Sequence, residues 1–433
     1  MMALPQAKQD ATEARLAALT LPVQDGWTRA ARADALARLT KSGLPGPRDE
    51  YWRWTRPAEL NAVDVPGAAP MDESDEAPIF DGIDALSLVF RDGVFDAEAS
   101  DDLTLEGVEI SRLSEVQGAD IHWAREVYGA LELRGQDPVV RPFAALNTAF
   151  ASDGVLIRAT GKAAKPICIR YVHEKSDSDP ILHHVVKVEE GAEVTLLEAG
   201  APGARFNTVL EADIADRGTF HHVRAQGRNR DRRANTHTFA RLGEESVCKS
   251  FTLSLNGALT RNEHIIEFTG DDAAAHVAGA AIGDGKVAKF HHDDTVFVTH
   301  DAVNCESRQV FKKVLKNGAL GVFQGKILVK AGAQKTDGYQ ISQSLLLDGD
   351  SQFLAKPELE IYADDVACSH GSTTGSIDEE MLFYLKARGV PHARAMDLLV
   401  LAFLAETLAE IEEDAIAESL RTRLENWLER HAD

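Results

Sequence analysis

Cysteine is scarce in this chain and never closely spaced: Cys168, Cys248, Cys305 and Cys368 are the four among 433 residues. Without a Cys-x-x-Cys pair there is no ready-made zinc or cluster cassette, and dispersed thiols suit a reducing, cytoplasmic setting. Long apolar runs are also missing. No stretch of about 18 apolar residues exists, so no membrane span is expected. Met1 to Gln24 is polar and Ala-rich, without the apolar block of a secretory signal. Basic charge is in the minority, 46 Lys and Arg against 69 Asp and Glu, a formal net charge of −23. That balance excludes nucleic acid and anionic membranes as principal partners and otherwise serves solubility. Nucleotide motifs are absent as well. The nearest approach to Gly-x-x-x-x-Gly-Lys-Ser/Thr, Gly321 to Ile327, is one residue short between its glycines and lacks the Ser or Thr after Lys326. No Gly-x-Gly-x-x-Gly fingerprint occurs either. No nucleotide is expected on this chain, and no flavin in a Rossmann site.

What remains is ordinary globular composition, 44% hydrophobic and 27% charged. The length allows two or three domains and a large core. The opening reads as an amphipathic helical pair, Ala11 to Leu21 and Trp27 to Lys41, ended by Gly43-Leu-Pro-Gly-Pro47. A tract rich in Pro, Ala, Asp and Glu, Val63 to Pro78, has the composition of a mobile or surface linker. Phe80 to Val140 is mixed and hard to read. These features suggest an N-terminal helical domain over 1–60 and a linker with a mixed α/β region over 61–140.

From about Gly154 to Ile361 the pattern changes to a period of two, as in Phe251-Thr-Leu-Ser-Leu255 and Lys326-Ile-Leu-Val-Lys330. No helical patterns intervene, which argues against a βαβ sheet. Gly191, Gly218, Gly243 and Gly270 follow one another at 27, 25 and 27 residues. Short turn phrases recur, among them Asn256-Gly-Ala and Asn317-Gly-Ala. A coil-sized repeat of strands and turns suits a β-solenoid, and a β-sandwich with irregular glycine turns fits the same pattern.

Helix returns at the end. Ser376 and Asp378 offer N-caps, with Met381, Leu382 and Leu385 forming a stripe that Gly389 ends. Pro391 opens a second helix to about Leu408, whose middle is apolar all round and so buried or covered by another subunit. Ala415 to Leu428 reads as a third helix.

Chemistry-bearing residues are few. His183-His184, His221-His222 and His291-His292 fall in strand-like sequence, where neighbours face opposite ways and cannot jointly chelate. His291-His-Asp-Asp294 is the strongest of the three. Arg228-Asn-Arg-Asp-Arg-Arg233 reads as a solvated basic loop, with contact to an acidic neighbour as the second reading. Cys368 and His370 are the notable pair. On an extended chain, residues two apart share a face, so both donors could reach one metal or cluster. A buried Cys beside a hydrogen-bonded His explains the same residues, and a Cys–His hydrolase is a third reading that lacks an orienting group. A cluster takes about four ligands, mostly thiolate. This pair supplies two at most, so the others would come from a second chain.

The phrase Lys356-Pro-Glu-Leu-Glu-Ile-Tyr-Ala-Asp-Asp-Val366 with Cys368-Ser-His-Gly371 resembles the signature of the SufB/SufD scaffold family of the SUF iron–sulfur cluster assembly machinery, in the form carried by its SufD members. Further matches are Gly325-Lys-Ile-Leu-Val-Lys330, Gly332-Ala-Gln-Lys-Thr-Asp-Gly-Tyr-Gln340, Leu345-Leu-Leu347 and Asp378 to Gly389. Leu146-Asn-Thr-Ala-Phe150 matches the opening of the family core, and Gly43-Leu-Pro45 with Glu50-Tyr-Trp52 the N-terminal motif. The resemblance runs from about residue 40 to 410. Ser372-Thr-Thr374 and Ala367 depart from the commoner family residues.

The resemblance implies a mainly β fold, a right-handed parallel β-helix core over 141–366, flanked by N-terminal helices and a C-terminal helical domain over 367–433. It implies a non-catalytic scaffold that pairs with SufB through the β-helix ends and docks the SufC ATPase on the C-terminal helices. ATPase activity would then reside in SufC. Carried over, Cys368 and His370 mark a site shared with SufB for a transient Fe–S cluster. Asp378, Phe383, Tyr384, Arg388, Met396, Leu399 and Phe403 fall in the SufC-docking tail. Reduced flavin in the complex and a homodimer of the isolated chain are both allowed. The alternative function is a β-solenoid carbohydrate-active enzyme, against which the missing signal weighs.

Overall fold

The structure, a computed structural model, describes residues 4–22, 25–71 and 75–431. The ends of the chain, part of the expected helix-to-helix turn at 23 and 24, and residues 72–74 of the acidic tract lie outside the described residues. From Val155 to Gly375 successive strands alternate between two sheets. One sheet takes, from its C-terminal edge, Val366–Gly375, Thr336–Leu346, Glu306–Lys316, Ala274–Asp284, Val247–Leu255, Thr219–Ala225, Glu193–Gly200 and Ile167–Val172. The other takes Gln352–Ile361, Leu320–Val329, His291–His300, Leu259–Phe268, Arg233–Leu242, Arg205–Ile214, Ile181–Val188 and Val155–Ala159. Pairing along both is parallel and in register. The chain is therefore a β-solenoid of about 8 turns, and parallel pairing rules out the sandwich.

Alternation of side chains explains the coil. Every second residue of each strand points inside, and in-register stacking places Val186, Ala212, Ala240, Ile266, Val298 and Ile327 in one column. All six are buried, each of the larger ones contributing about 1.5–3 kcal/mol of burial. The corners stack as well. Gly191, Arg217, Glu245, Asp272, Asn304 and Lys335 adopt left-handed conformations. Each donates its amide to a carbonyl of the next turn, at Asp216, Glu244, Asp271, Val303, Gln334 and Asp365.

The repeating glycines fall at this corner, as their spacing suggests. Of the four evenly spaced ones, only Gly191 has a positive φ, at 67°. Gly270 is needed for another reason. A Cβ there would sit 2.1 Å from the Glu244 backbone nitrogen, because the turns lie directly on one another. At the opposite corner Asn256-Gly257 and Asn317-Gly318 all take positive φ, as expected of such pairs.

Both outer sheet faces are covered. Helices Gln6–Ala17, Arg29–Ser42 and Pro142–Phe150 form most of the N-terminal cover. Its core residues Trp27, Leu39, Trp52 and Phe143 pack with outward-facing Ile181, Val185, Val209 and Phe239. The C-terminal helices bring Val400, Leu404, Ile416, Leu420, Leu424 and Trp427 onto Leu197, Val223, Phe251 and Leu253 of the other sheet.

Several boundaries differ from expectation. The first helix starts earlier and ends at Ala17, because Pro5 suits a helix start, and it buries Thr12 and Arg15. Strands begin at Leu86, before the expected core, and the last ends at Gly375, after it. The tract from Val63 to Pro78 has a linker's composition, yet its described residues strap onto the coil. Ala68 donates its amide to Ser176 (2.9 Å), Asp75 meets Arg228 (2.5 Å) and Glu76 meets Arg423 (2.5 Å). The basic turn beginning at Arg228 is likewise no solvated loop: Arg228 and Arg232 are buried, and Arg232 donates to the carbonyls of Asn229 and Leu255.

Gly270→Ala should destabilise the protein by about 1–3 kcal/mol in urea unfolding. Gly332→Ala, with nothing within 4 Å of the added Cβ, should stay within about 0.5 kcal/mol of the parent. Equal effects would show that close turn stacking does not matter to stability.

Candidate functional site: the open end of the coil

The last rung consists of two 10-residue strands, Gln352–Ile361 and Val366–Gly375. Each closes its sheet, and among the described residues each has a strand neighbour on one side alone. At the opposite end the terminal strands, Val94–Asp96 and Val108–Arg112, have 3 and 5 residues and pair antiparallel to their neighbours. Long unpaired edges are templates for another chain, and short ones are not.

Cys368 and His370 lie within the final strand, not just past it, and the following helix begins at Glu379. They pair in register with Gly338 and Gln340, the inward-facing, buried residues of the strand below. Both therefore belong to the face that lines the mouth of the coil. Cys368 is half-buried against Ile327, Val329, Leu359 and Val366, and His370 is exposed. Gly338 makes room for the sulfur: a Cβ there would stand 3.2 Å from Sγ. Burial pushes the Cys368 thiol up, the Gly338 backbone opposes this, and Asp337 adds to the rise. A thiol held protonated is a poor nucleophile, so the environment does not suit hydrolysis. Cys168 lies under the C-terminal helices, Cys248 inside the coil and Cys305 near a corner. Among the described residues no three His, Cys, Asp or Glu side chains group as a metal site.

The histidine pairs split across the sheet, one ring inside and one outside, and find partners within the chain. His184 bonds the Tyr171 hydroxyl (2.9 Å) and His222 bonds Glu198 (2.7 Å) inside the coil. Burial pushes His184 down to about 4. On the outside His183 meets Glu211 (2.8 Å), His221 meets Glu412 (3.1 Å) and His291 meets Thr55 (2.8 Å). His292 turns inward to Lys313 (2.6 Å). The outer acid and arginine cluster of Arg261, Glu263 and Asp293 is buried beneath the N-terminal cover, which leaves no open carbohydrate-binding face there.

The tail presents a second surface. Asp378 caps its first helix, accepting from the amides of Glu380 (2.9 Å) and Met381 (3.0 Å). Helix Glu379–Ala387 buries no residue. Its expected stripe is not covered: Met381 is exposed, and Leu382 and Leu385 are half-buried. Phe383 is 73% exposed and Tyr384 50%, with Arg388 over the Tyr384 ring at 4.3 Å. On helix His392–Leu408, Met396, Leu399 and Phe403 are half-buried. Met396 lines a cavity of about 240 Å³ with Trp427 and His392, and Lys312 sits over the Phe403 ring at 4.5 Å. Phe383 and Tyr384 thus face outward while Met396 and Phe403 also serve the chain's own packing.

Sequence reasoning missed how the tail is seated. Glu410 meets Arg308 (2.9 Å) and His276 (3.3 Å), Glu412 meets His221 and Lys249, and Glu406 meets Lys312. These acids and bases lie more than ninety residues apart, and no local spacing signals them.

A family model described as SUF system FeS cluster assembly, SufBD core domain, matches residues 171–403. The chain is 26% identical over 415 residues to the iron–sulfur cluster assembly protein SufD of Escherichia coli (strain K12), covering 92% of this chain and 93% of that protein. It is 28% identical over 416 residues to an iron–sulfur cluster assembly SufBD family protein of Synechocystis, with 91% and 89% covered. Over 283 residues it is 28% identical to the chloroplastic protein ABCI7 of Arabidopsis thaliana, with 62% and 58% covered.

In the partner-free chain, iodoacetamide should alkylate Cys368 more slowly at neutral pH than a free thiol, with the rate climbing as pH rises. Cys168 and Cys248, pushed up to about 11 and about 12 by burial, should have thiolate fractions at least about a hundredfold below an ordinary thiol. Fast labelling of Cys368 at pH 7 would contradict this environment.

Proposed function

The chain belongs to the SufBD family of SUF-system iron–sulfur cluster assembly proteins, and on that premise we propose that it is the scaffold subunit that joins SufB through the open end of its coil and holds the SufC ATPase on its helical tail. The reading rests on one observation: Cys368 and His370 share a face at the mouth of the coil, beside a long unpaired strand edge. Two donors are too few for a cluster, so the partner strand would bring the others. Iron and sulfide are cargo at that joint. Metal coordination displaces a thiol's proton to solvent, so Cys368 would stay protonated alone and ionise only when loaded.

The same sheet links the two surfaces. Its outer side carries His221, Lys249, His276, Arg308 and Lys312, which seat the tail, and its last strand carries Cys368 and His370. Movement of SufC on Phe383, Tyr384 and Arg388 would pass through that seat to the joint, with Asp378, Met396, Leu399 and Phe403 keeping the tail in shape. Nucleotide chemistry stays with SufC, and this chain contributes binding and donors. Without SufB, a second copy of the chain can pair on the same edges. A reduced flavin, where the complex uses one, would bind outside any Rossmann cradle.

Co-expression with SufB and SufC tests the reading. Cys368→Ala and His370→Ala should each lower iron retained by the isolated complex by about tenfold or more, and removing residues 378–433 should abolish capture of SufC. Parental iron content in both variants would remove the two residues from the site, and SufC capture by the truncated chain would refute the docking assignment.

A further inference from the structure

The two strands of the last rung are held unequally. Strand Gln352–Ile361 is gripped on its outer side by the turn Glu50–Trp52, some three hundred residues away in sequence. The Tyr51 hydroxyl donates to Glu358 (2.7 Å), Glu50 accepts from Lys356 (2.6 Å), and the Lys356 ammonium lies 4.3 Å from the Tyr51 ring centre. The turn is itself anchored to deeper rungs. The Tyr51 carbonyl accepts from Arg261 (2.8 Å) and Gln324 (3.2 Å). The Tyr51 ring meets Phe297 edge-on at 5.1 Å, and Arg261 lies over Trp52 at 4.1 Å. Arg261 is buried and pairs with Glu263 (2.8 Å) and Asp293 (2.5 Å). Three residues thus span the strands bearing Arg261, Phe297, Gln324 and Lys356, which are consecutive in their sheet. The companion strand Val366–Gly375 differs. Its outward positions hold Ala367, Ser369, Gly371, Thr373 and Gly375, and Ser372 bonds Ser342 at 3.1 Å.

We propose that the Glu50–Trp52 turn is a positioning element for the docking edge: Tyr51 and Glu50 hold Gln352–Ile361 flat on the rung below, ready to receive a partner strand, while Val366–Gly375 stays free to adjust around Cys368 and His370. Strand addition ordinarily costs the entropy of ordering the edge. A strand ordered beforehand by side chains on its outer face keeps its open backbone edge available and brings that cost down. The clamp tightens with charge, because the Tyr51 hydroxyl bonds a carboxylate and Lys356 is shared between Glu50 and Glu358. The docking clause rests on the proposed pairing with SufB; the clamp itself does not.

Hydrogen exchange of the full chain without partners reads the clamp directly. Tyr51→Phe keeps the ring and removes the hydroxyl, and Glu50→Gln removes the charge. Each should speed exchange across 352–361 by about tenfold, leaving 233–242 and 259–268 and the global unfolding midpoint unchanged. Tyr362→Phe, which loses a bond to Glu360 within the same segment, should leave protection as it is. Parental protection in both Tyr51→Phe and Glu50→Gln overturns the clamp, and so does an equal loss over the whole sheet, which marks general packing. In a second arm, SufB affinity should fall with the lost protection. Unchanged affinity in a chain with a loosened edge overturns the docking role, and this outcome is distinct from failure of all SufB binding, which would strike the parent equally.

Discussion

Backbone pairing is the constraint on which the molecule depends. A parallel coil satisfies the amides and carbonyls of each strand through the rungs above and below it, so every coil has two ends where this runs out. Here the ends are treated differently. One is blunted by short antiparallel strands, and the other leaves two 10-residue edges. The direction of the molecule, and the place where Cys368 and His370 stand, follow from that asymmetry.

The covers over the sheet faces solve a second problem. A solenoid that alternates strictly would have one apolar face inside and one polar face outside. In this chain outward positions such as Val209, Phe239, Phe251 and Leu253 are apolar too, so both faces need helices. The N-terminal cover is pinned by buried arginines and aromatic rings. The C-terminal cover combines an apolar seat with carboxylates set on histidine, lysine and arginine. Pairs of that kind contribute little singly when solvated, but as a group they fix how the tail lies. Part of the acidic excess therefore serves as fastening rather than as mere solubility, with Asp75 and Glu76 doing the same for the strap.

Much of the fold was legible because its rules are local. Period-two alternation located the strands, Asn-Gly pairs located one corner, and Asp378 located a helix start, since each depends on neighbours within a few residues. The evenly spaced glycines located the other corner, but their spacing does not tell which of its residues is left-handed: Arg217, Glu245 and Asp272 adopt that conformation under the stacking of turns. The acidic tract read as a linker and the Arg228 turn first as a solvated loop; its second reading, contact with an acidic neighbour, is the one that Asp75 and Glu76 supply, and composition does not reveal which acids those are. The site was legible in part. Cys368 and His370 stood out as candidates by residue type and spacing and again in the family resemblance, while Tyr51, equally close to the last rung, had no visible tie to Glu358.

The sequence by itself determined the kind of structure: a strand-rich repeat between helical ends, with no closely spaced thiols and no nucleotide loop. These are properties of composition and short-range pattern, which survive in any arrangement of the chain. Tertiary structure alone decided which strands became edges, which histidine faced inward, and which distant carboxylate met which base. Those outcomes depend on register and on stacking across hundreds of residues, where free energy is shared among contacts that no local spacing records.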